Sequence, residues 1–217
     1  MTRAIRLVVF VAVCAVGVLG ISGRWTDPML LAYVAACGAA LLFGTMIVPE
    51  GTARARWEPS TPGADPWGAY MFRVLFVSHV IAGTLDTGRF HLTDTVPLPV
   101  RIVGLVTFPL AFALTFWAAG VNRFFIPAVR IQDERGHHPV TTGPYAFVRH
   151  PGYAGMGWGV PLSGLALGSW TAVAFGVAMF LSVVRRVALE DKFVMASLPG
   201  YADYAARVRW RLFPGVW

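Results

Sequence analysis

The chain has 217 residues, of which 56% are hydrophobic and only 13% are charged. This composition excludes an intrinsically disordered chain, which needs low hydrophobicity and many charges. A typical soluble domain carries about 25% charged residues, so this chain has too few charges to cover a water-facing surface. The composition therefore predicts a polytopic membrane protein.

Four apolar segments in the first part of the chain predict membrane helices. They cover residues 4–21, 29–48, 69–85 and 98–121. Each is close to the roughly 20 residues that a helix needs to cross the hydrocarbon core. The third is the least apolar of the four because it contains Arg73 and His79. The first is expected to remain as an uncleaved helix, since no small-x-small cleavage site follows it.

Residues 151–184 form a fifth apolar stretch, which contains no charged residue. A single straight helix of that length would measure about 50 Å, which is too long for one crossing. Pro161, Gly164, Gly168 and Ser169 lie near its middle and favour a break. We therefore expect two short helices that form a hairpin, either re-entrant or spanning. The predicted fold class is all-α, with five or six transmembrane helices of which the last two form the hairpin.

The positions of the basic residues predict the orientation. With the N-terminus in the cytoplasm, 14 Arg and Lys residues fall on the inner side and 3 on the outer side. This is a strong positive-inside bias, and it places both termini in the cytoplasm. The inner residues are Arg3, Arg6, Arg54, Arg56, Arg123, Arg130, Arg135, Arg149, Arg185, Arg186, Lys192, Arg207, Arg209 and Arg211.

The same bias accounts for the formal net charge of +7 without a nucleic-acid partner. Cys14 and Cys37 both lie within apolar stretches, so we expect small buried side chains there. Neither a disulfide nor a metal site is predicted.

Two inner-side segments, residues 122–153 and 185–217, carry nearly all the unusual polar residues. They flank the apolar hairpin, so a hairpin that folds back brings them together on the cytoplasmic face. In the first segment, residues 133–136 predict a turn. Thr142 and Pro144 predict the start of a short helix over residues 145–150, which ends before Pro151. Gly152, Gly155, Gly157 and Gly159 indicate either close helix packing or a ligand against the backbone.

The charged side chains of these segments have alternative interpretations. His137, His138 and His150 lack a familiar zinc spacing, and His150 on local grounds is compatible with a structural role. Arg186 and Glu190 share a helix face. They form either a simple ion pair with each other or contacts to opposite charges on a bound ligand. The terminal residues 207–217 alternate arginine with apolar residues, which favours an interfacial strip over a catalytic role.

Two motifs carry a resemblance to a known family. GPYAFVRHPGYAG at 143–155 and LEDKFVMASLPGYADYAARV at 189–208 resemble the isoprenylcysteine carboxyl methyltransferase family, which has relatives among phospholipid methyltransferases. The resemblance covers about residues 100–217, so it implies one membrane domain with N-terminal membrane helices (1–97) and a methyltransferase core (98–217). The chain departs from the family pattern in having Asp191 where a second glutamate is usual.

The resemblance implies S-adenosylmethionine as the methyl donor and a lipophilic acceptor, either a small molecule or a lipid, that carries a carboxylate. Arg186 and Glu190 become the expected catalytic residues, and Arg186 with Asn122 the expected acceptor contacts. The expected donor contacts are Gln132, His137, His138, Pro139, Val140, Tyr145, His150, Pro151, Gly152, Tyr153 and Glu190. An in-line displacement by a carboxylate needs no general base, because the carboxylate is already ionised near neutral pH.

Three alternatives stay open at this point. A phospholipid amine N-methyltransferase would depend less on Arg186 than on the donor contacts. A membrane reductase of the sterol-reductase type would use NADPH, with Arg207, Arg209 and Arg211 as phosphate contacts. In a membrane scaffold or small transporter, the polar side chains would only bond to one another and stabilise the fold.

Overall fold

The structure, a computed structural model, describes residues 3–55 and 65–217, and these residues form helices joined by short loops. Arg56, one of the predicted inner-side residues, lies outside the described residues. The described α-helices are α1 (Arg3–Ser22), α2 (Pro28–Ile47), α3 (Glu50–Ala55), α4 (Pro66–Leu85), α5 (Leu98–Val121), α6 (Pro151–Leu167), α7 (Trp170–Ser197) and α8 (Tyr201–Arg207). A π-helix at Asp86–Phe90 extends α4, and short 3₁₀ helices form at Asp133–Arg135 and Gly143–Ala146.

Five described segments are long and apolar enough to cross a membrane. They are α1, α2, Trp67–Phe90, α5 and α7. The four N-terminal spans agree with the sequence prediction within a few residues at each end, and the fold class is all-α as predicted. Many of their large side chains face outward, including Val8, Met46 and Leu110, as expected for helices surrounded by lipid.

The apolar stretch from residue 151 divides at two residues. Gly168, at a φ of 89°, ends α6, and the Ser169 hydroxyl accepts the Ala172 N–H at 3.1 Å to start α7. The prediction of two short helices is wrong for the second of them. α7 has 28 residues and is therefore about 42 Å long, so it continues well past residue 184 through Arg185 and Arg186.

Glycines allow α6 to pack closely between α5 and α7. A Cβ atom on Gly104 of α5 would lie 2.6 Å from the backbone nitrogen of Ala166. A Cβ atom on Gly176 of α7 would lie 2.6 Å from the backbone of Pro161. Because real Cβ atoms do not approach that closely, these contacts depend on glycine, as is common between membrane helices.

A buried hydrogen-bond chain ties the N-terminal helices to this core. The Tyr33 hydroxyl of α2 lies 2.8 Å from the Ser163 hydroxyl of α6, which lies 3.0 Å from Nε2 of His79 on α4. Nδ1 of His79 donates to the Ala172 carbonyl of α7 at 2.9 Å. His79, one of the two residues that make the third predicted span less apolar, therefore has hydrogen-bond partners on both ring nitrogens, and these bonds fix α4 against α6 and α7.

The expected helix over residues 145–150 is absent. A 3₁₀ helix at Gly143–Ala146 forms instead, and the backbone from Phe147 to His150 is irregular. The backbone N–H groups of Arg149 and His150 donate to the carbonyls of Trp210 and Arg211, both at 2.9 Å. The C-terminal strip thus provides partners that a local helix would otherwise supply, and it fixes the orientation of His150 at the start of α6.

Candidate active site

The two polar segments enclose a cavity of about 320 Å³. Its walls come from α4, the loop after α5, the start of α6, the last turns of α7, and α8. Of the predicted site residues, those that line it are Asn122, Gln132, His137, His138, Pro139, Val140, Tyr145, His150, Gly152, Tyr153, Arg186 and Glu190. Pro151 is the exception, because it lies on the opposite side of the α6 N-terminus beside a smaller apolar groove.

His150 and Glu190 meet on one wall of the cavity. Nδ1 of His150 lies 3.9 Å from Oε1 of Glu190. Nε2 of His150 lies 3.1 Å from the Asp191 carboxylate, and since a carboxylate only accepts, Nε2 carries the proton. Asp191 therefore orients the imidazole so that its other nitrogen faces Glu190 and the cavity.

Arg186 and Glu190 are linked through a tyrosine hydroxyl. Nε of Arg186 donates to the Tyr153 hydroxyl at 2.7 Å, and that hydroxyl donates to Glu190 at 2.7 Å. Arg186 is only 4% exposed, and its remaining bonds go to the carbonyl of Pro127 and to the carboxylate of Asp65. The Arg186 guanidinium is thus held in a fixed position, as an anion-binding arginine requires.

Asp191 is the hub of a buried charge network behind the cavity. Arg149 donates to both of its oxygens at 2.8 Å, Arg211 donates to it at 2.8 Å, and the Tyr201 hydroxyl at 2.9 Å. Asp191 is 2% exposed, so these bonds offset the free energy of removing its charge from water. The network ties α7, α8, the α6 start and the C-terminal strip into one rigid support.

The loop after α5 is held by side chains predicted to contact ligands. Gln132 donates to the Phe124 carbonyl at 2.8 Å and accepts from Arg135 at 2.6 Å. Asn122 donates to the Tyr145 hydroxyl at 3.1 Å and accepts the Phe124 N–H at 2.8 Å. Both residues line the cavity, and both also give the loop its shape.

His137 packs its ring on Phe124 at a centroid distance of 4.4 Å. Burial lowers the pKa of His137, and the positive charges nearby act in the same direction. Its Nδ1 accepts the backbone N–H of Gln132 at 3.3 Å, which requires that nitrogen to be unprotonated. On the opposite wall, burial and the neighbouring Asp191 carboxylate raise the pKa of Tyr201, so its hydroxyl remains a donor.

The glycines of the first turns of α6 serve helix packing. A Cβ atom on Gly155 would overlap the backbone of α5, including the Thr115 nitrogen at 2.9 Å. Cβ atoms on Gly157 and Gly159 would meet the rings of Phe180 and Phe112 at 3.0 Å. Gly152 packs beneath Phe125 and also borders the cavity. It therefore fits both predicted roles, close packing and contact with a ligand.

Several cavity residues were not identified from the sequence. Tyr201 and Tyr204 line the wall formed by α8, Arg73 lines the wall formed by α4, and Arg149 lies beneath His150. Their signals were present in the tyrosines of the second motif and in the arginine of RHP. The sequence analysis predicted that residues 185–217 fold back to this face, but it did not predict that α4 and Arg73 line the same cavity.

The described part of the chain shows no metal cluster, and the arginines that line the cavity are Arg73, Arg130, Arg149 and Arg186. Among residues 3–55 and 65–217, no group of three or more His, Cys, Asp or Glu side chains is placed to hold a metal ion. The three phosphate contacts expected of a reductase are not among the described residues that line the cavity; they are Arg207, Arg209 and Arg211. Arg211 instead pairs with Asp191 and lies over the Trp217 ring.

Comparison with known proteins gives relatives of two kinds. The chain is 29% identical over 128 residues to a probable protein-S-isoprenylcysteine O-methyltransferase of Oryza sativa subsp. indica, covering 54% of this chain and 67% of that protein. It is 31% identical over 89 residues to protein-S-isoprenylcysteine O-methyltransferase B of Arabidopsis thaliana, covering 40% and 45%. It is also 34% identical over 137 residues to the cobalt-zinc-cadmium resistance protein CzcN of Cupriavidus metallidurans, covering 60% and 57%.

The shared region contains most of the residues that line the cavity. Residues 103–196 match the family model described as the isoprenylcysteine carboxyl methyltransferase (ICMT) family. That range contains most of α5, all of α6, nearly all of α7 and the cavity loop between α5 and α6. Over residues 103–196, the chain is therefore similar to the isoprenylcysteine carboxyl methyltransferase family.

Proposed function

We propose that this chain is an integral membrane methyltransferase that transfers a methyl group from S-adenosylmethionine to a carboxylate on a lipophilic acceptor. The names of the plant relatives indicate the acceptor class, an S-prenylated cysteine. The observation that carries the proposal is the arrangement of Arg186 and Glu190 one helical turn apart on a cavity wall, linked by the Tyr153 hydroxyl at 2.7 Å from each.

The cavity residues fit the two positive charges of S-adenosylmethionine. S-Adenosylmethionine carries a sulfonium and an ammonium, and the Glu190 carboxylate is a suitable partner for either. The cavity wall also contains Phe124, Tyr153 and Tyr201, whose ring faces attract cations. When bound, the donor supplies an electrophilic methyl group next to a positively charged sulfur.

Each residue then has a defined task. His150, oriented by Asp191, and Glu190 hold polar groups of the donor. Arg186 binds the acceptor carboxylate and aims it at the methyl group, which is the main requirement of an in-line displacement. The helices around the cavity exclude water, which strengthens these electrostatic contacts.

The position of the cavity favours two different entry routes. It lies at the ends of α4, α5 and α7 that carry Arg123, Arg130, Arg185 and Arg186, which the positive-inside rule assigns to the cytoplasm. We propose that the soluble donor enters from the cytoplasm, that the acceptor enters from the inner leaflet, and that α6 and α7 cross the membrane as a hairpin.

Binding and transfer test the proposal directly. Detergent-solubilised protein should bind S-adenosylmethionine and not NADPH, and it should transfer a labelled methyl group to an S-farnesylated N-acetylcysteine. Preferential binding of NADPH would support the reductase alternative instead. A protein that binds the donor and labels phosphatidylethanolamine in place of this acceptor would support the amine N-methyltransferase instead, and that label would resist alkali, whereas a carboxyl methyl ester is cleaved by it.

A further inference from the structure

Asp65 lies beside the arginine that is expected to bind the acceptor. It precedes α4, where its Oδ1 accepts the N–H of Gly68 at 3.2 Å and caps the helix. Its Oδ2 lies 3.4 Å from Nη1 of Arg186. Asp65 is 7% exposed and Arg186 is 4% exposed, so this is a buried pair of opposite charges.

The first turn of α4 is shaped around this pair. A Cβ atom on Gly68 would overlap the Asp65 carboxylate and lie 2.6 Å from Nη1 of Arg186. Glycine at this position therefore lets both side chains lie against the α4 backbone. Asp65 and Gly68 both fall outside the region matched by the family, residues 103–196, so this chain supplies the contact from its own N-terminal part.

The contact of Asp65 with Arg186 is long compared with its neighbours. A charge-assisted bond between an arginine and a carboxylate is usually about 2.7–2.9 Å, whereas this one measures 3.4 Å. Arg186 binds the Tyr153 hydroxyl at 2.7 Å. The Asp65 carboxylate also has a second set of partners, because its Oδ1 faces the Gly68 N–H and, at 3.6 Å, Arg185.

We propose that Asp65 is a specificity-determining residue that occupies Arg186 until the carboxylate of the acceptor replaces it. This inference rests on the proposed function. Two carboxylates beside one buried arginine repel each other, so the acceptor gains its full contact only when Oδ2 of Asp65 leaves Nη1. Asp65 keeps its helix cap and its contact with Arg185 after that step, so the displacement breaks only the long ion pair.

Asp65 therefore competes with, and weakens the binding of, any ligand whose carboxylate binds Arg186. An acceptor without a negative charge gains nothing from displacing Asp65, so its affinity does not depend on this residue. The acid and the amide of one compound therefore respond differently to the removal of the Asp65 charge.

The test compares two probes on the full-length protein in detergent. The probes are S-farnesylated N-acetylcysteine as the free acid and as the carboxamide, and their dissociation constants are measured for the wild type and for Asp65→Asn. Asparagine keeps the cap and removes the charge. Asp65→Ser, which also keeps a capping oxygen, is the second variant, and Asp203→Asn, an exposed acid at the start of α8, is the matched control.

We expect the free acid to bind both Asp65 variants about tenfold tighter than the wild type, a difference that corresponds to about 1.4 kcal/mol. The carboxamide and S-adenosylmethionine should bind all four proteins equally. Unchanged or weaker binding of the acid by both Asp65 variants would overturn the inference while leaving the proposed function intact. A wild type that binds S-adenosylmethionine but neither probe would overturn the proposed acceptor class, and this inference with it.

Discussion

Nδ1 of His150 lies 3.9 Å from Oε1 of Glu190, although the two residues are separated in sequence by the whole of α6 and most of α7. This proximity exists because α6 and α7 are joined by only two residues and pack side by side. The two halves of the family motif thereby face one cavity. The proposed donor contacts depend on this pair.

The first prediction concerns donor binding. Glu190→Ala and His150→Ala should each weaken the binding of S-adenosylmethionine about 10- to 100-fold, because each removes a partner of a charged or polar ligand group. Isothermal titration calorimetry in detergent measures the affinity, and thermal unfolding checks the fold. Glu50→Gln, on an exposed position of α3, is the control. Unchanged donor affinity in both site variants would return these residues to a purely structural role.

The second prediction separates acceptor from donor. Arg186→Lys keeps the positive charge but loses the planar fork that binds a carboxylate with two hydrogen bonds. We expect the KM for the acceptor to rise about tenfold while the Kd for the donor stays within a factor of two. Arg185→Lys, at a neighbouring side chain that is 66% exposed, should change neither value. Equal losses in donor and acceptor binding by Arg186→Lys would contradict the division of roles.

The third prediction concerns the Asp191 hub. Asp191→Ala leaves Arg149 without its carboxylate partner, and breaking a buried ion pair in this way costs about 3–5 kcal/mol. The apparent Tm in detergent should fall sharply, and donor binding should weaken because His150 loses its orientation. Asp94→Asn removes a carboxylate that pairs with an exposed His91, and it should change the Tm little. Similar Tm values for the two variants would show that the hub is not a support of the fold.

The fourth prediction is a pH dependence from His137. Because burial lowers the pKa of His137, the folded state binds fewer protons than the unfolded state as the pH falls through about 6.5. The loop should therefore lose stability below that pH, where protonation of Nδ1 breaks the bond from Gln132. Donor affinity measured from pH 8 to 5 should fall less steeply in His137→Asn than in the wild type. His91→Asn, at an exposed histidine that is not among the residues lining the cavity, should keep the wild-type profile, and identical profiles for all three proteins would exclude this role of His137.

The fifth prediction concerns helix packing. Gly155→Ala places a methyl group against the α5 backbone near Thr115, and overpacking of this kind costs about 1–3 kcal/mol. The apparent Tm should therefore fall. Gly17→Ala on α1, where no atom lies within 4 Å of the added methyl group, should not lower it. Equal stability of the two variants would mean that α6 can move away from α5 without cost.

The parts of the fold that follow from composition were predictable. Hydropathy located the four N-terminal spans, since each matches the membrane thickness. The end of α7 was missed because the prediction stopped at Arg185, where apolar residues end. A helix about 42 Å long instead carries its last turns beyond the hydrocarbon, so charges there do not interrupt it. Arg186 and Glu190 sit on those last turns, which is why they reach the cavity.

Long-range partners account for most of what the sequence did not reveal. The helix predicted over residues 145–150 is replaced by bonds from Arg149 and His150 to the C-terminal strip, and nothing local indicates such partners. Asp65 lies in a polar loop in the sequence and beside Arg186 in the structure. The residues of the site were recognisable from their motifs. The partners of Asp191 and the contact of Asp65 with Arg186 were not, because they depend on the packing of α4, α8 and the C-terminal strip.

Transfer of a labelled methyl group from S-adenosylmethionine to an S-farnesylated N-acetylcysteine by the purified protein tests the central claim most directly. The account predicts a labelled product that releases its label as methanol in alkali, with transfer at a subsaturating donor concentration strongly reduced in both Glu190→Ala and Arg186→Lys. A protein that binds the donor but transfers no label to this acceptor, or transfer that is unchanged in Glu190→Ala, would contradict it.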